Sequence, residues 1–275
     1  MYYIGVVGFD FSGRIVALGS DVQDYTVGDK VYGRSQGAYG HYVNAQISTI
    51  SKFQHLTYHD AAAYPIAYLS AYESLYVVAN IKSRSGQTIF IPGGTGGVGH
   101  FAVQLALHEG LNVITSTSKS DSIQYLQKIG VQHIINYKQH DVVQEVLKLT
   151  NGQGADIVYD PTYLPSSFIQ SASVVASGGI WLRLGPLADA DKVIDIVKQR
   201  GGTPTFGDLG RYGRDPAYIS KQALLHDALV LADQLYHDGT VRPLVSKVYE
   251  LHEINEALDA VRKGQLPGKA VIKIK

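Results

Sequence analysis

The feature that most constrains this 275-residue chain is a regular alternation of short apolar runs and helical patterns that begins at residue 88. Candidate strands lie at 88–91, 112–115, 133–136, 155–159, 180–184 and near 203–206. The residues between them repeat apolar side chains at the three- and four-residue spacing of helices. Near-continuous apolar strands separated by helices predict an α/β fold with a doubly wound parallel sheet of about six strands, covered on both faces.

The first predicted strand runs into a glycine-rich stretch, PGGTGGVGH, which opens the next helical pattern. Its residues 94–99 spell G-x-G-x-x-G, a weak motif alone but one that predicts a dinucleotide site between a strand and a helix. We expect Gly94 to make the tight turn, Gly96 to admit the pyrophosphate and Gly99 to let the helix approach the strand. The alternative is a glycine-rich crossover without a ligand. The cofactor contacts expected here are Gly94, Thr95, Gly96, Gly97 and Val98.

The end of the second predicted strand indicates which dinucleotide binds. A carboxylate about 20 residues beyond the glycines favours NAD, because it binds the ribose 2′-hydroxyl. This chain has NVITSTSKSD instead, with hydroxyls and the ammonium of Lys119 before the first acid, Asp121. Ser116, Ser118 and Lys119 favour the 2′-phosphate of NADPH, which a carboxylate would repel. The alternative is that Ser118 or Ser120 caps the following helix.

The composition excludes several other classes of protein. Lys and Arg number 24 together, as do Asp and Glu, so charge gives no reason to expect nucleic acid or a membrane as a partner. No apolar run approaches the ~18 residues of a membrane-spanning helix. The chain has no cysteine, which excludes disulfides and every cysteine-containing zinc site. A reducing compartment is consistent with that, and we expect a cytoplasmic protein.

Two histidines four residues apart, His55 and His59, are the arrangement that most suggests a metal. A closed zinc site normally takes four ligands, and no third ligand is evident near this pair. We therefore expect no metal, and we interpret the histidines as residues that flank a helix start at Thr57. Thr57 followed by Asp60 resembles a capping box.

Taken together, these segments resemble the medium-chain dehydrogenase/reductase superfamily, in particular its zinc-free, ζ-crystallin-like quinone oxidoreductase branch. GQTIFIPGGTGGVGHFAVQLA is close to the family signature, although Phe90, Thr95 and Leu107 depart from it. GFDFSG followed by VGDKVYG resembles an early stretch of the family, and LPGKAVIKI resembles its closing strand. Metal-using members keep a histidine where this chain has Phe9, so the resemblance implies a site without catalytic zinc.

The resemblance also implies the domain organisation. Residues 69–206 would form a Rossmann NADPH-binding domain. Residues 1–68 and 207–275 would form a GroES-like β-barrel domain built from both chain ends. The likeness starts well inside the family's first domain, so we expect a barrel without its early strands. Relatives commonly pair through the edge of the Rossmann sheet, which implies a homodimer.

The family likeness further implies the functional residues. NADPH-using relatives contact the 2′-phosphate through a Ser/Lys pair and a later tyrosine, which here are Ser118, Lys119 and Tyr137. Leu184 and Gly185 match the position beside the nicotinamide. Ser70 matches a hydroxyl near the nicotinamide, with an ordinary helix-surface serine as the alternative.

These features lead to two hypotheses of different classes. The first is a zinc-independent, NADPH-dependent oxidoreductase that transfers hydride to a quinone or an α,β-unsaturated carbonyl. The second is an NADPH-binding sensor or scaffold protein with little or no turnover. Oxidation of NADPH by a quinone above the uncatalysed rate distinguishes the two.

Overall fold

The computed structural model describes residues 7–185, 187 and 190–274. The chain divides into two compact units. One is Ser70–Asp208, and the other combines Met1–Leu69 with Leu209–Lys275.

Across the described residues the strands are β1 (Asp10–Arg14), β2 (Lys30–Arg34), β3 (Ile50–Lys52), β4 (Thr88–Pro92), β5 (Asn112–Thr117), β6 (His133–Asn136), β7 (Ala155–Asp160), β8 (Val175–Leu184), β9 (Thr203–Gly207), β10 (Val245–Glu250) and β11 (Lys269–Lys273). The α-helices are α1 (Tyr58–Ala63), α2 (Pro65–Tyr72), α3 (Gly99–His108), α4 (Ser120–Lys128), α5 (Val142–Leu149), α6 (Pro165–Ala172), α7 (Ala190–Gln199), α8 (Arg211–Arg214), α9 (Pro216–Ile219), α10 (Ala223–His237) and α11 (Ile254–Arg262).

The unit Ser70–Asp208 is built on a parallel sheet with the strand order β6-β5-β4-β7-β8-β9. This is the order of a doubly wound dinucleotide-binding sheet, whose direction of winding reverses between β4 and β7. The predicted six-stranded Rossmann fold is confirmed. Ligands of such sheets bind outside the carboxyl ends of the strands at the reversal point.

Both faces of this sheet are buried, as its apolar strands predict. One face carries Phe90, Ile114, Val158 and Trp181, which pack with side chains of α5, α6 and α7. The ring of Trp181 meets Phe168 of α6 edge-on, with centroids 6.1 Å apart. The strand neighbours of these residues point to the opposite face and are buried as well: Ile89, Ile91, Val113, Ile157 and Leu182. Each large side chain buried in this way contributes about 1.5–3 kcal/mol relative to exposure.

The second unit contains strands from both ends of the chain, as the GroES-like prediction requires. Strands β1, β2 and β3 form an antiparallel sheet, and β10 pairs with β11 in parallel. Among the described residues these remain two separate sheets rather than one closed barrel. The side chains of Asp10 on β1 and Lys269 on β11 link them, with Lys269 Nζ 3.3 Å from Asp10 Oδ2.

The helix whose start is predicted at Thr57 is interrupted. It begins as expected at Thr57, whose hydroxyl accepts the amide N–H of Asp60 at 3.1 Å. Helix α1 ends at Ala63, and α2 begins at Pro65 because proline has no N–H to continue the ladder. Residues Glu73–Val78 then form a π-helix. Within the described part of the chain, no helix is both long and apolar enough to cross a membrane.

Candidate functional site

The glycine loop lies at the carboxyl end of β4, in the centre of the sheet. The turn expected at Gly94 is made by Gly93, whose φ of 67° is in the left-handed region that favours glycine. A Cβ on Gly94 would overlap the side chain of Thr115 on β5. A Cβ on Gly99 would overlap the carbonyl of Gly93, so this glycine does allow close approach of α3. Gly96 is exposed, and its backbone is accessible to a ligand.

Not all of the predicted loop and strand residues face outward. Thr95 and Ser116 are buried. The hydroxyl of Thr95 lies 3.4 Å from that of Thr117, and Ser116 Oγ accepts the N–H of Gly93 at 3.4 Å. Gly97 and Val98 are half-buried, and Val98 is the N-cap of α3. Thr95 and Ser116 therefore stabilise the glycine loop from the protein interior.

At the ends of β5 and β6, the structure brings together Ser118, Lys119 and Tyr137. The Ser118 hydroxyl donates a 2.9 Å hydrogen bond to the hydroxyl of Tyr137, and Lys119 is exposed beside it. The tyrosine ring is half-exposed. Lys119 is the N-cap residue of α4 and makes no side-chain capping bond, so Ser118 and Ser120 are not caps. Two hydrogen-bonded hydroxyls, with an exposed lysine next to one of them in the chain, thus lie where the sequence predicts a phosphate.

On the other side of the glycine loop, β7 ends in a buried carboxylate that the sequence pattern did not single out. Asp160 is 0% exposed. Its Oδ1 accepts hydrogen bonds from the amide and hydroxyl of Thr162, at 3.0 and 2.7 Å. Its Oδ2 accepts the hydroxyls of Ser167 and Ser171, at 2.7 and 2.8 Å. Burial raises the pKa of Asp160 above 3.8, and these hydrogen bonds oppose the shift.

The residues after Asp160 connect the glycine loop to the end of β8. The methyl group of Thr162 lies 3.3 Å from the position that a Cβ on Gly93 would occupy. The ring of Tyr163 packs on Gly185, where a Cβ would overlap it. Leu184 is buried, and Gly185 follows it with a φ of 89°. The predicted pair Leu184 and Gly185 therefore lies at the carboxyl edge, covered on one side by Tyr163.

Ser70 lies near the end of α2 and is 5% exposed. The alternative of an ordinary helix-surface serine is wrong, because surface serines are mostly accessible. Its proposed place near a nicotinamide remains a prediction.

The first histidine of the pair His55 and His59 contacts a third histidine. The ring of His55 lies against that of His237, with centroids 4.0 Å apart. Within the described ranges, no group of three or more His, Cys, Asp or Glu residues is arranged to hold a metal ion. Asp10, which follows Phe9, accepts the N–H of Ile66 at 2.9 Å and is paired with Lys269, so it is a hydrogen-bonding residue.

The sequence analysis did not identify Asp160 or Tyr163, and only Asp160 has a recognisable sequence pattern around it. Asp160 stands at the carboxyl end of a predicted strand, and Ser167 and Ser171 follow at helical spacing, which is a detectable pattern. Tyr163 carries no local signal.

Comparison with known proteins agrees with this architecture. Residues 97–199 match the family model described as zinc-binding dehydrogenase. The mycoketide-CoA synthase of Mycobacterium tuberculosis is 28% identical over 271 residues. That match covers 97% of this chain, but the chain spans only 6% of the synthase.

Two solved structures are also similar. The quinone oxidoreductase from Coxiella burnetii is 29% identical, with a TM-score of 0.81 over 98% of this chain and 80% of that one. The CurK enoyl reductase has a TM-score of 0.84 at 24% identity, over 98% of this chain and 80% of that one, which shows a shared fold.

The fold and the domain match are similar to those of oxidoreductases of the alcohol dehydrogenase-like type. The matched domain and the structural neighbours are those of the medium-chain dehydrogenase/reductase superfamily, which this chain resembles along its whole described length. Oxidoreductases of this superfamily typically use a nicotinamide cofactor.

Proposed function

We propose that this chain binds NADPH and reduces a quinone or an α,β-unsaturated carbonyl without a catalytic metal. The observation that carries the proposal is the cluster of Ser118, Lys119 and Tyr137 beside the glycine loop. It stands where a carboxylate would favour NADH.

The cluster suits a 2′-phosphate on chemical grounds. An ammonium attracts the phosphate charge, and the two hydroxyls can each donate to its oxygens. The hydroxyls of Ser118 and Tyr137 are already 2.9 Å apart, so a phosphate would bind a partly formed site.

The glycine loop suits a pyrophosphate. Gly96 is exposed without a side chain, and α3 begins at Gly99 directly behind the loop. The amides of residues 96–98 and the positive end of the helix dipole are the expected partners of the pyrophosphate oxygens. This end of the sheet therefore fits a dinucleotide that runs from β5 across β4 toward β8.

The nicotinamide end is assigned to Leu184 and Gly185 at the end of β8. The bound nicotinamide would supply the hydride, and this chain would hold and orient the reactants. Ser70 is proposed to orient the ring or the acceptor through its hydroxyl. The acceptor class is supported by the similarity to a quinone oxidoreductase.

We also propose a cytoplasmic homodimer. β9 lies at the edge of the six-stranded sheet and has β8 as its neighbour on one side, so its other side is a candidate pairing edge.

Reversal of one charge tests the cofactor assignment. We expect Lys119→Glu to raise the Kd of NADPH at least tenfold, about 1.4 kcal/mol, and that of NADH less than twofold. Lys128→Glu, at the far end of the same helix α4, is the matched control and should change neither. Equal weakening of both nucleotides by Lys119→Glu would remove the case for NADPH.

Turnover is tested separately. NADPH oxidation with 1,4-benzoquinone or a simple enone, above the uncatalysed rate, is the expected result. Tight NADPH binding without oxidation of any such acceptor would favour a sensor or scaffold protein.

A further inference from the structure

Tyr163 has a backbone conformation that a bulky residue rarely adopts. Its φ is 60°, in the left-handed region. A non-glycine residue held there costs on the order of 1–3 kcal/mol, and such residues cluster at functional sites. The surroundings must therefore fix this conformation.

The loop around Tyr163 is fixed from within the same unit. Thr162, its neighbour, donates both its amide and its hydroxyl to Asp160. Leu164 donates its amide to the Thr162 hydroxyl at 3.3 Å. Asp160 is itself held by two serines of α6. The tyrosine is thus presented by a rigid network rather than by a free loop.

The ring of Tyr163 also has a defined position. It packs directly on Gly185, and a side chain on Gly185 would have to displace it. Thr162 lies against Gly93 in the glycine loop. Residues 162–163 therefore bridge the ends of β4 and β8, just beyond the point where the sheet reverses its winding.

Tyr163 is 53% exposed, so one part of the ring rests on Gly185 and the rest is open. Burial, together with the charge of Asp208, raises the pKa of its phenol above 10. The phenol therefore stays uncharged near neutral pH. A neutral, partly accessible aromatic ring is suited to contact another planar ring.

We propose that Tyr163 is a contact residue of the nicotinamide, forming the wall of its pocket over Gly185. The inference rests on the proposed function, since it takes Leu184 and Gly185 as the nicotinamide end of the site. The ligand group is a planar, uncharged or singly charged pyridine ring.

A pair of ligands separates this role from a structural one. NADPH carries the nicotinamide, whereas 2′-phospho-ADP-ribose keeps the phosphates and adenosine but lacks it. We expect Tyr163→Gly to raise the Kd of NADPH about tenfold and to leave that of 2′-phospho-ADP-ribose within twofold. Tyr163→Phe, which keeps the ring, should bind both ligands within twofold of the wild type.

Glycine is the informative replacement because it adopts a φ of 60° without strain. Tyr163→Gly should therefore fold, and Tyr163→Asn, another residue that tolerates this region, replaces it if it does not. Asn151→Gly is the matched control, because Asn151 has a φ of 52° in the same unit, in the turn after α5. It should change neither affinity.

The outcomes separate the two proposals. If the wild type binds neither ligand, the proposed function fails and this inference fails with it. If the wild type binds both, the inference alone is overturned when Tyr163→Gly leaves the ratio of the two affinities unchanged. Tighter NADPH binding by Tyr163→Gly would also overturn it, because the ring would then occupy the place of the nicotinamide.

Discussion

Two regions of the carboxyl edge of the six-stranded sheet, one at the ends of β5 and β6 and one at the end of β7, differ in how their polar side chains are used. At the ends of β5 and β6, Lys119 is exposed and Ser118 and Tyr137 share one hydrogen bond of 2.9 Å. At the end of β7, Asp160 is fully buried and accepts four hydrogen bonds of 3.0 Å or less. At the ends of β5 and β6, the exposed Lys119 is accessible to a ligand. At the end of β7, Asp160 holds the backbone of the following loop through Thr162.

This difference predicts that the two regions have different roles, one in the choice of ligand and the other in the stability of the fold. Exposed polar contacts contribute about 0–1 kcal/mol to stability, so the β5–β6 end can change without loss of the fold. A buried carboxylate with several donors is costly to remove, because the donors lose their acceptor. We therefore expect changes at the β5–β6 end to alter which nucleotide binds, and changes at the β7 end to alter the fold and the position of Tyr163.

The largest effect should come from the loop that both ends share. Gly99→Ala places a methyl group on the carbonyl of Gly93, where backbone must move. We expect a loss of unfolding free energy of about 2–4 kcal/mol, measured by urea denaturation. Gly13→Ala, where a Cβ would meet nothing within 4 Å, is the control and should change stability little. A stable Gly99→Ala protein would show that the loop is looser than described.

Removal of the buried carboxylate should rank second. Asp160→Ala leaves the hydroxyls of Thr162, Ser167 and Ser171 without their acceptor, and we expect a loss of about 3 kcal/mol. Asp141→Ala removes an exposed carboxylate that caps α5 through the amide of Gln144 at 2.9 Å, and should cost about 1 kcal/mol. Equal losses in the two variants would contradict the contrast between the ends.

The variant Asp160→Asn tests the role of the buried carboxyl through the pH dependence of stability. The pKa of Asp160 is raised in the folded state by burial, so folding favours the protonated carboxyl. The stability of the wild type relative to Asp160→Asn should be greatest below the ordinary pKa of 3.8 and should fall as pH rises through the folded pKa. Denaturation midpoints measured between pH 4 and pH 8 test this. A relative stability that increases with pH would show that the hydrogen bonds outweigh burial.

The smallest effect on the fold should come from the β5–β6 end. Ser118→Ala and Tyr137→Phe should each cost less than about 0.5 kcal/mol and should leave the melting temperature nearly unchanged. Both should weaken 2′-phospho-ADP-ribose binding, because each removes a hydroxyl donor. A double-mutant cycle on affinity measures their coupling. Independent effects would mean that the 2.9 Å bond between them does not preorganise the site.

Much of the unit Ser70–Asp208 can be predicted from sequence because most of its strands are uninterrupted apolar runs. The prediction is less complete where chain geometry overrides the pattern. The sequence predicts β8 at 180–184, but the strand begins at Val175, since Ser177–Gly179 interrupts its apolar run, and its pairing with β7 shifts register between Ala155 and Ile157. A glycine pair within a strand can mark such an irregularity, but does not predict its register.

The site divides in the same way. Ser118, Lys119 and Tyr137 can be grouped from sequence because adjacent parallel strands end at one edge. The contact between Tyr163 and Gly185 cannot, since it depends on a φ that tyrosine disfavours and on the approach of two separate loops. Neither condition appears in the local pattern of residues.

The packing of the glycine loop has a consequence for how the motif evolves. Gly94 and Gly99 are required by neighbouring atoms of the protein itself, Thr115 and the carbonyl of Gly93. If the chain binds a nucleotide as proposed, a descendant that lost this ligand would still be expected to retain both glycines. A Cβ added to Gly96 would lie 3.1 Å from the carbonyl of Gly93, a less severe overlap than at Gly94 or Gly99. After loss of the ligand, Gly96 is therefore the first of the three glycines at which we expect another residue to be accepted.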